Sequence, residues 1–322
     1  MSVLEKVDSR KQSKVLMNTV VLSVLFLASC APSVRVPVTR PAEINLMGIK
    51  RVAIGQIDGN VGASLSDVLS QRLFESGRYE IMDRQNMNTL MKEHNLNMTG
   101  IIDDQTSVKL GNLLGVQALI FGNSNGQFRQ RTEIGNAYKC SRPGGVCRDY
   151  KKIGEGRINT TLKIVDLKTG KIIAIKNFTD DKSDSTWEAN EWPADIDGSI
   201  IMGSILNMTA DKFMRMIAPY TDYVTVEFED SKIPEVKSGI VMAQSGQWSS
   251  ACVQFRNAVS SNPTEAATWY NLGLAYMYTY QFDEAIQAFN KANALKPSSK
   301  YAQEVANCSR LKAEKKKLDA QM

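Results

Sequence analysis

Lys109-Leu-Gly-Asn-Leu-Leu-Gly-Val-Gln-Ala-Leu-Ile-Phe-Gly122 changes period halfway along. Leu110, Leu113 and Leu114 recur at helical spacing up to Gly115, a residue suited to the left-handed turn that ends a helix. Val116 to Phe121 is then almost wholly apolar, as a strand covered on both faces must be. A helix feeding a central strand is the unit of an α/β fold, and the flanking sequence repeats it. Upstream, Arg51-Val-Ala-Ile-Gly-Gln-Ile57 is strand-like, Leu65, Val68, Leu69 and Leu73 mark a helix ending at Gly77, and Tyr79-Glu-Ile-Met82 is a second strand. Asp83 and either Asp103 or Asp104 are placed to cap helices.

Downstream, Ile158, Thr160, Leu162 and Ile164 alternate with polar residues, and Asp166-Leu-Lys-Thr-Gly170 turns the chain into Lys171–Phe178, which predicts a hairpin. A helix is expected over 194–218, ahead of Pro219, and a last strand where Val224, Val226 and Phe228 alternate with Tyr223, Thr225 and Glu227. The expected fold of residues 48–230 is a mixed-sheet α/β domain.

The last quarter is built differently. Ala251, Phe255, Ala258 and Pro263 return as Ala285, Phe289, Ala292 and Pro297, a displacement of 34 residues, which is the tetratricopeptide period. Trp269, Leu272, Gly273 and Tyr276 complete the second copy, with small residues where paired helices cross and large ones where pairs interlock. The first copy keeps Gly239 and has Glu235 where Trp is expected. Two repeats are expected over 235–297, followed by a capping helix within 298–322. Tyr270, Leu274, Met277 and Tyr278 would line the concave side of the second copy, either as a groove for a protein partner or as a surface packed on the α/β domain.

At the other end, Thr19 to Ala28 is an apolar run too short to span a bilayer, preceded by Arg10, Lys11 and Lys14 and closed by Leu27-Ala-Ser-Cys30. This pattern predicts a lipoprotein signal peptide over 1–29, with the Cys30 thiol as the acylated atom. Ala31 follows, not the Asp that holds many Gram-negative lipoproteins at the inner membrane. The expected location is the outer membrane, facing the periplasm. Pro32, Pro37 and Pro41 give 30–47 the look of an extended tether.

Composition narrows the function. The formal charge is +5, of which the signal segment supplies +2 (Lys6, Arg10, Lys11 and Lys14 against Glu5 and Asp8), too little for nucleic acid to be a partner. The lone histidine, His94, reads as the exposed end of a helix, so no His-based metal site or catalytic triad is expected. Cys140 and Cys147 bracket a Pro-Gly-Gly turn and predict a disulfide in an oxidising compartment. Asp180-Asp-Lys-Ser-Asp184 lacks the Gly and distal Glu of a calcium loop. No phosphate loop, dinucleotide fingerprint or activated nucleophile is present, and neither an enzyme nor a cofactor is expected.

Several motifs carry a family resemblance: Arg51-Val-Ala-Ile, Arg72-Leu-Phe-Glu-Ser-Gly-Arg78, Tyr79-Glu-Ile-Met-Asp-Arg84, Leu90-Met-Lys-Glu93, Thr99-Gly100 and the 109–122 stretch. Together they resemble the curli production assembly/transport (CsgG-type) lipoproteins over roughly 48–228. The resemblance implies a periplasmic α/β body, and in some members two hairpins that assemble into a many-subunit outer-membrane barrel exporting amyloid subunits. Such hairpins need an apolar residue at every second position for about 9–11 residues. Segments 123–156 and 178–198 carry charge on both parities instead. The expectation is therefore a body acting by protein–protein contact in assembly or export of a surface structure. A homo-oligomeric secretion pore and a regulatory lipoprotein activating a cell-wall synthase are the alternatives.

Overall fold

The computed structural model describes residues 31–82, 104–141 and 144–321. The signal segment with Cys30, and His94, lie outside the described residues. The rest divides into two compact units, one of residues 39–221 with 314–322, the other of residues up to Val38 with 222–313.

The first unit is the α/β body. Its strands β2 (Arg51–Asp58), β3 (Glu80–Met82), β4 (Ala118–Ile134), β7 (Asp149–Asp166) and β8 (Ile172–Ala189) form one sheet in the order β3-β2-β4-β7-β8. β2 runs parallel to β3 and β4, whereas β4, β7 and β8 are antiparallel to one another. The sheet is mixed, as its sequence pattern requires. Helices α1 (Gly62–Glu75) and α3 (Gly198–Ile217) cover one face, where Leu65, Leu69, Leu73, Ile201, Ile205 and Phe213 meet Val52, Ile54, Ile120 and Ile164. Helix α2 (Asp104–Leu114) covers the other through Leu110 and Leu114 against Ala53, Leu119 and Val165. Ala118, Leu119 and Ile120 are thus buried from both sides. Gly77 and Gly115 have φ of 60° and 64° just past α1 and α2, the left-handed geometry that only glycine adopts at little cost.

β4, β7 and β8 are longer than the expected hairpin. The ladder runs from Ala118↔Asp166 to Ile134↔Tyr150 and on the other side from Val165↔Ile172 to Asp149↔Ala189. Glycine makes room for the helix over its middle: a Cβ at Gly156 would lie 2.7 Å from Ile201 and 2.9 Å from Ile205. Beyond Gly154 the ladder continues as a bare ribbon, ending in the small hairpin β5 (Tyr138–Lys139) and β6 (Val146–Cys147).

The second unit corrects two expectations. Residues 30–47 do not run as a tether: Ser33–Arg40 is strand β1, paired with β9 (Tyr220–Glu227) in a separate two-stranded sheet. The last strand therefore does not extend the mixed sheet. Val36, Val226 and Phe228 are buried in the core of the repeats because alternation gives that ribbon one apolar face. The repeats are helices α4 (Pro234–Gln244) with α5 (Trp248–Ser261), and α6 (Ala266–Tyr278) with α7 (Phe282–Leu295). Both copies cross alike. A Cβ at Gly239 would sit 2.5 Å from the Phe255 ring, and one at Gly273 2.6 Å from the Phe289 ring. Helix α8 (Ser299–Asp319) follows, placing Tyr301 and Cys308 in the same core.

Candidate functional site

The concave side of α6 is filled. Tyr270, Leu274 and Met277 are only 1–3% exposed, and Tyr278 is half-buried against Trp248, the ring centroids 4.7 Å apart. The occupant is the chain's own segment between β9 and α4. Tyr270 donates from Oη to the Glu227 carbonyl at 3.0 Å. Asn271, fully buried, grips the backbone of one residue on both sides: its Oδ1 accepts from the Glu229 N–H at 3.0 Å and its Nδ2 donates to the Glu229 carbonyl at 2.7 Å. Phe228 is buried between Trp248 and Phe255.

The same pocket draws in α8. Tyr301 donates to Glu229 Oε2 at 2.7 Å, its ring centroid 5.3 Å from that of Tyr270. Lys300 Nζ stands 4.4 Å from the Tyr270 ring centroid, a cation over an aromatic face. Burial raises the pKa of both tyrosines and of the Glu304 carboxyl, since each loses hydration of its charged form. The four residues expected to line a partner groove thus act as an internal docking face, and what docks is an extended segment of the same unit. Asn271 is the polar anchor that the sequence reading missed. A side chain with two donors and an acceptor, next to an inward-facing Tyr, was the available signal.

Elsewhere the structure places the remaining candidates apart from one another. Cys140 and Cys147 are bonded across the β5–β6 hairpin, with Cα atoms 5.8 Å apart. Asp180 is buried, held by Thr209 Oγ1 at 2.7 Å and by the half-exposed Lys212 ammonium, so the head of the acidic run is a carboxylate paired to α3. Hydrogen bonds from Lys152 and Gln130 depress the pKa of Asp195 at the approach to α3. Among the described residues no group of three His, Cys, Asp or Glu side chains converges as metal ligands would, and no helix is long and apolar enough to cross a membrane.

Comparisons with known proteins agree with this division. Residues 45–192 match the family model of the curli production assembly/transport component CsgG, and residues 266–299 match the tetratricopeptide repeat. Two family models thus match its two parts, a CsgG-type domain and a C-terminal tetratricopeptide repeat. Among solved structures it is similar to the LpoB C-terminal domain from Salmonella enterica, at 10% identity and a TM-score of 0.26, covering 41% of this chain and 85% of that one. The PelC dodecamer from Paraburkholderia phytofirmans matches at 12% identity and TM-score 0.27 over 58% of this chain and 98% of its own. MamA from Desulfovibrio magneticus RS-1 matches at 28% identity and TM-score 0.24 over 27% of this chain and 50% of its own. The curated proteins give no match.

Proposed function

We propose that this protein is an envelope lipoprotein, held at the outer membrane through Cys30 and facing the periplasm, that works by protein–protein contact in assembling or exporting a cell-surface structure. The observation that carries the reading is the union, behind a lipobox, of a CsgG-type body with a repeat region whose general use is to hold other polypeptides. The groove of the second repeat is occupied by the chain itself. The contact therefore falls on faces that the segment leaves open, where Val241, Val253 and Tyr280 are exposed. The bare ribbon bears charge on both parities of its strands, which favours a body over a barrel wall.

Two measurements test this. Cys30→Ser should move the protein from the membrane pellet to the soluble periplasmic fraction, because several acyl chains at about 0.8 kcal/mol per buried CH₂ are the proposed anchor. Crosslinking in cells followed by purification should recover one or a few envelope proteins in near-stoichiometric amount, and Gly273→Trp, which drives an indole into Phe289, should lose them. Recovery of the same set by both chains would remove the repeats from the function. Uniform conductance steps from purified protein in planar bilayers would replace the contact reading with the pore.

A further inference from the structure

The ribbon formed by the distal ends of β4, β7 and β8 carries an unusual surface for a segment so rich in charge. Ile134, Tyr138, Val146, Trp187 and Trp192 are between 42% and 66% exposed, and all lie at this one end of the α/β unit. Aromatic rings stand on both faces. Tyr150 meets Trp192 edge-on at 4.8 Å between centroids, while Trp187 is in register with Lys151, one residue along and so on the opposite face. The tip is held without being covered. The Cys140–Cys147 bond closes the hairpin, Tyr138 donates to Asp149 Oδ1 at 2.8 Å, and Asn190 Nδ2 donates to Cys147 Sγ at 3.2 Å.

Charges of both signs surround these rings, and the basic ones cluster on the hairpin and strand that lead into them. The described residues from Lys139 to Lys152 include four Lys or Arg and one acidic residue, Asp149, which is already engaged by Tyr138. Lys152 is tied to Asp195 at 2.7 Å, Glu133 is in register with Lys151, Glu188 lies on the returning strand and Glu191 just past its end. No ion pair reaches Lys139, Arg148 or Lys151 among the described residues. We propose that this tip is a membrane-surface contact that seats its indole and phenol rings in the headgroup layer of a bilayer containing anionic phospholipid.

Three physical arguments converge on that occupant. Trp and Tyr favour the zone where one end of the ring is apolar and the other wet. Lys and Arg are drawn to lipid phosphates within a Debye length of the surface. A protein partner is the poorer fit, because the cores of protein interfaces are enriched in aromatics but depleted in Lys and Glu, which are interleaved with the rings here. The same charges prevent the ribbon from crossing the hydrocarbon, so the contact stays superficial.

The test uses the full mature chain carrying Cys30→Ser, so its outcome is independent of the acyl anchor. Flotation with phosphatidylethanolamine–phosphatidylglycerol vesicles should recover the protein and shift its tryptophan emission to the blue. Phosphatidylcholine vesicles should recover much less, and added salt should release it. Trp187→Ser with Trp192→Ser should lower the partition coefficient at least about tenfold, since each large ring seated out of water is worth more than the 1.4 kcal/mol that a factor of ten requires. Lys139→Glu with Lys151→Glu should abolish the preference for anionic vesicles. Thermal melts accompany each variant, and Trp187→Ser alone serves if loss of the Tyr150 contact destabilises the double variant. Failure to float on either vesicle, or equal flotation by the tryptophan variants, overturns the proposal. So does an oligomer of the lipid-free chain that Trp187→Ser dissociates while vesicles remain unbound, because the tip is then a contact between proteins.

Discussion

The groove of the second repeat and the tip of the ribbon both gather aromatic side chains, yet one is closed and the other open. At the groove, Tyr270 finds Tyr301, Phe289 and a backbone carbonyl within the same unit. At the tip, Trp187 finds a neighbouring lysine in register and water. Residue type alone does not decide between these fates. What decides is whether another segment of the chain supplies both apolar cover and hydrogen-bond partners, as residues 227–231 do for α6 and nothing described does for the end of β8.

Stability measurements should separate the two regions. Tyr270→Ala should cost about 3–5 kcal/mol, the range for emptying a buried aromatic site, and a chemical denaturation curve would show it. An effect below about 1 kcal/mol would mean that the groove is open in solution. Asn271→Ala should come next, at roughly 1–3 kcal/mol, because it leaves the N–H and C=O of Glu229 without partners. Protection of the Glu229 amide against hydrogen exchange should fall with it.

Glu304 gives a smaller, pH-dependent effect. Burial raises its pKa in the folded state above the ordinary 4.5, so folding disfavours its charge. The resulting stability is fully present below the unfolded pKa and is lost as pH rises through the folded one. Glu304→Gln should therefore raise the melting temperature at neutral pH and lose that advantage on acidification past 4.5; a gain that persists in acid would assign it to packing. Trp187→Ala should have the least effect, within about 0.5 kcal/mol, as for other exposed positions. A larger loss would show that the tip ring has a partner within the fold.

Much of the architecture was legible because it rests on periodicity. The change of period at Gly115 marks α2 and β4, and the displacement of Gly239 and Phe255 by 34 residues onto Gly273 and Phe289 marks two equivalent helix crossings. The lengths of β7 and β8 were not legible, since past Gly154 no apolar alternation signals that the strands continue. The pairing of β1 with β9 was hidden for another reason. Prolines at 32, 37 and 41 look like breaks, but an edge strand tolerates a missing N–H. The closed groove depended on a tertiary fact: Asn271 beside Tyr270 signals a polar anchor, but no local pattern names Glu229 as the residue that arrives there.

The pairing of β1 also sets how far the repeat unit can stand from its proposed anchor. Phe228 N–H donates to the Pro32 carbonyl at 2.8 Å, only two residues after Cys30, the proposed site of acylation. Three peptide steps from Cys30 to Ser33 reach roughly 10 Å at full extension. That is a mooring too short to let the repeats sweep the periplasm. Under the proposed function, a polypeptide captured by them would be held against the inner leaflet of the outer membrane, and encounters there would depend on lateral diffusion in two dimensions, not on a long tether searching a volume.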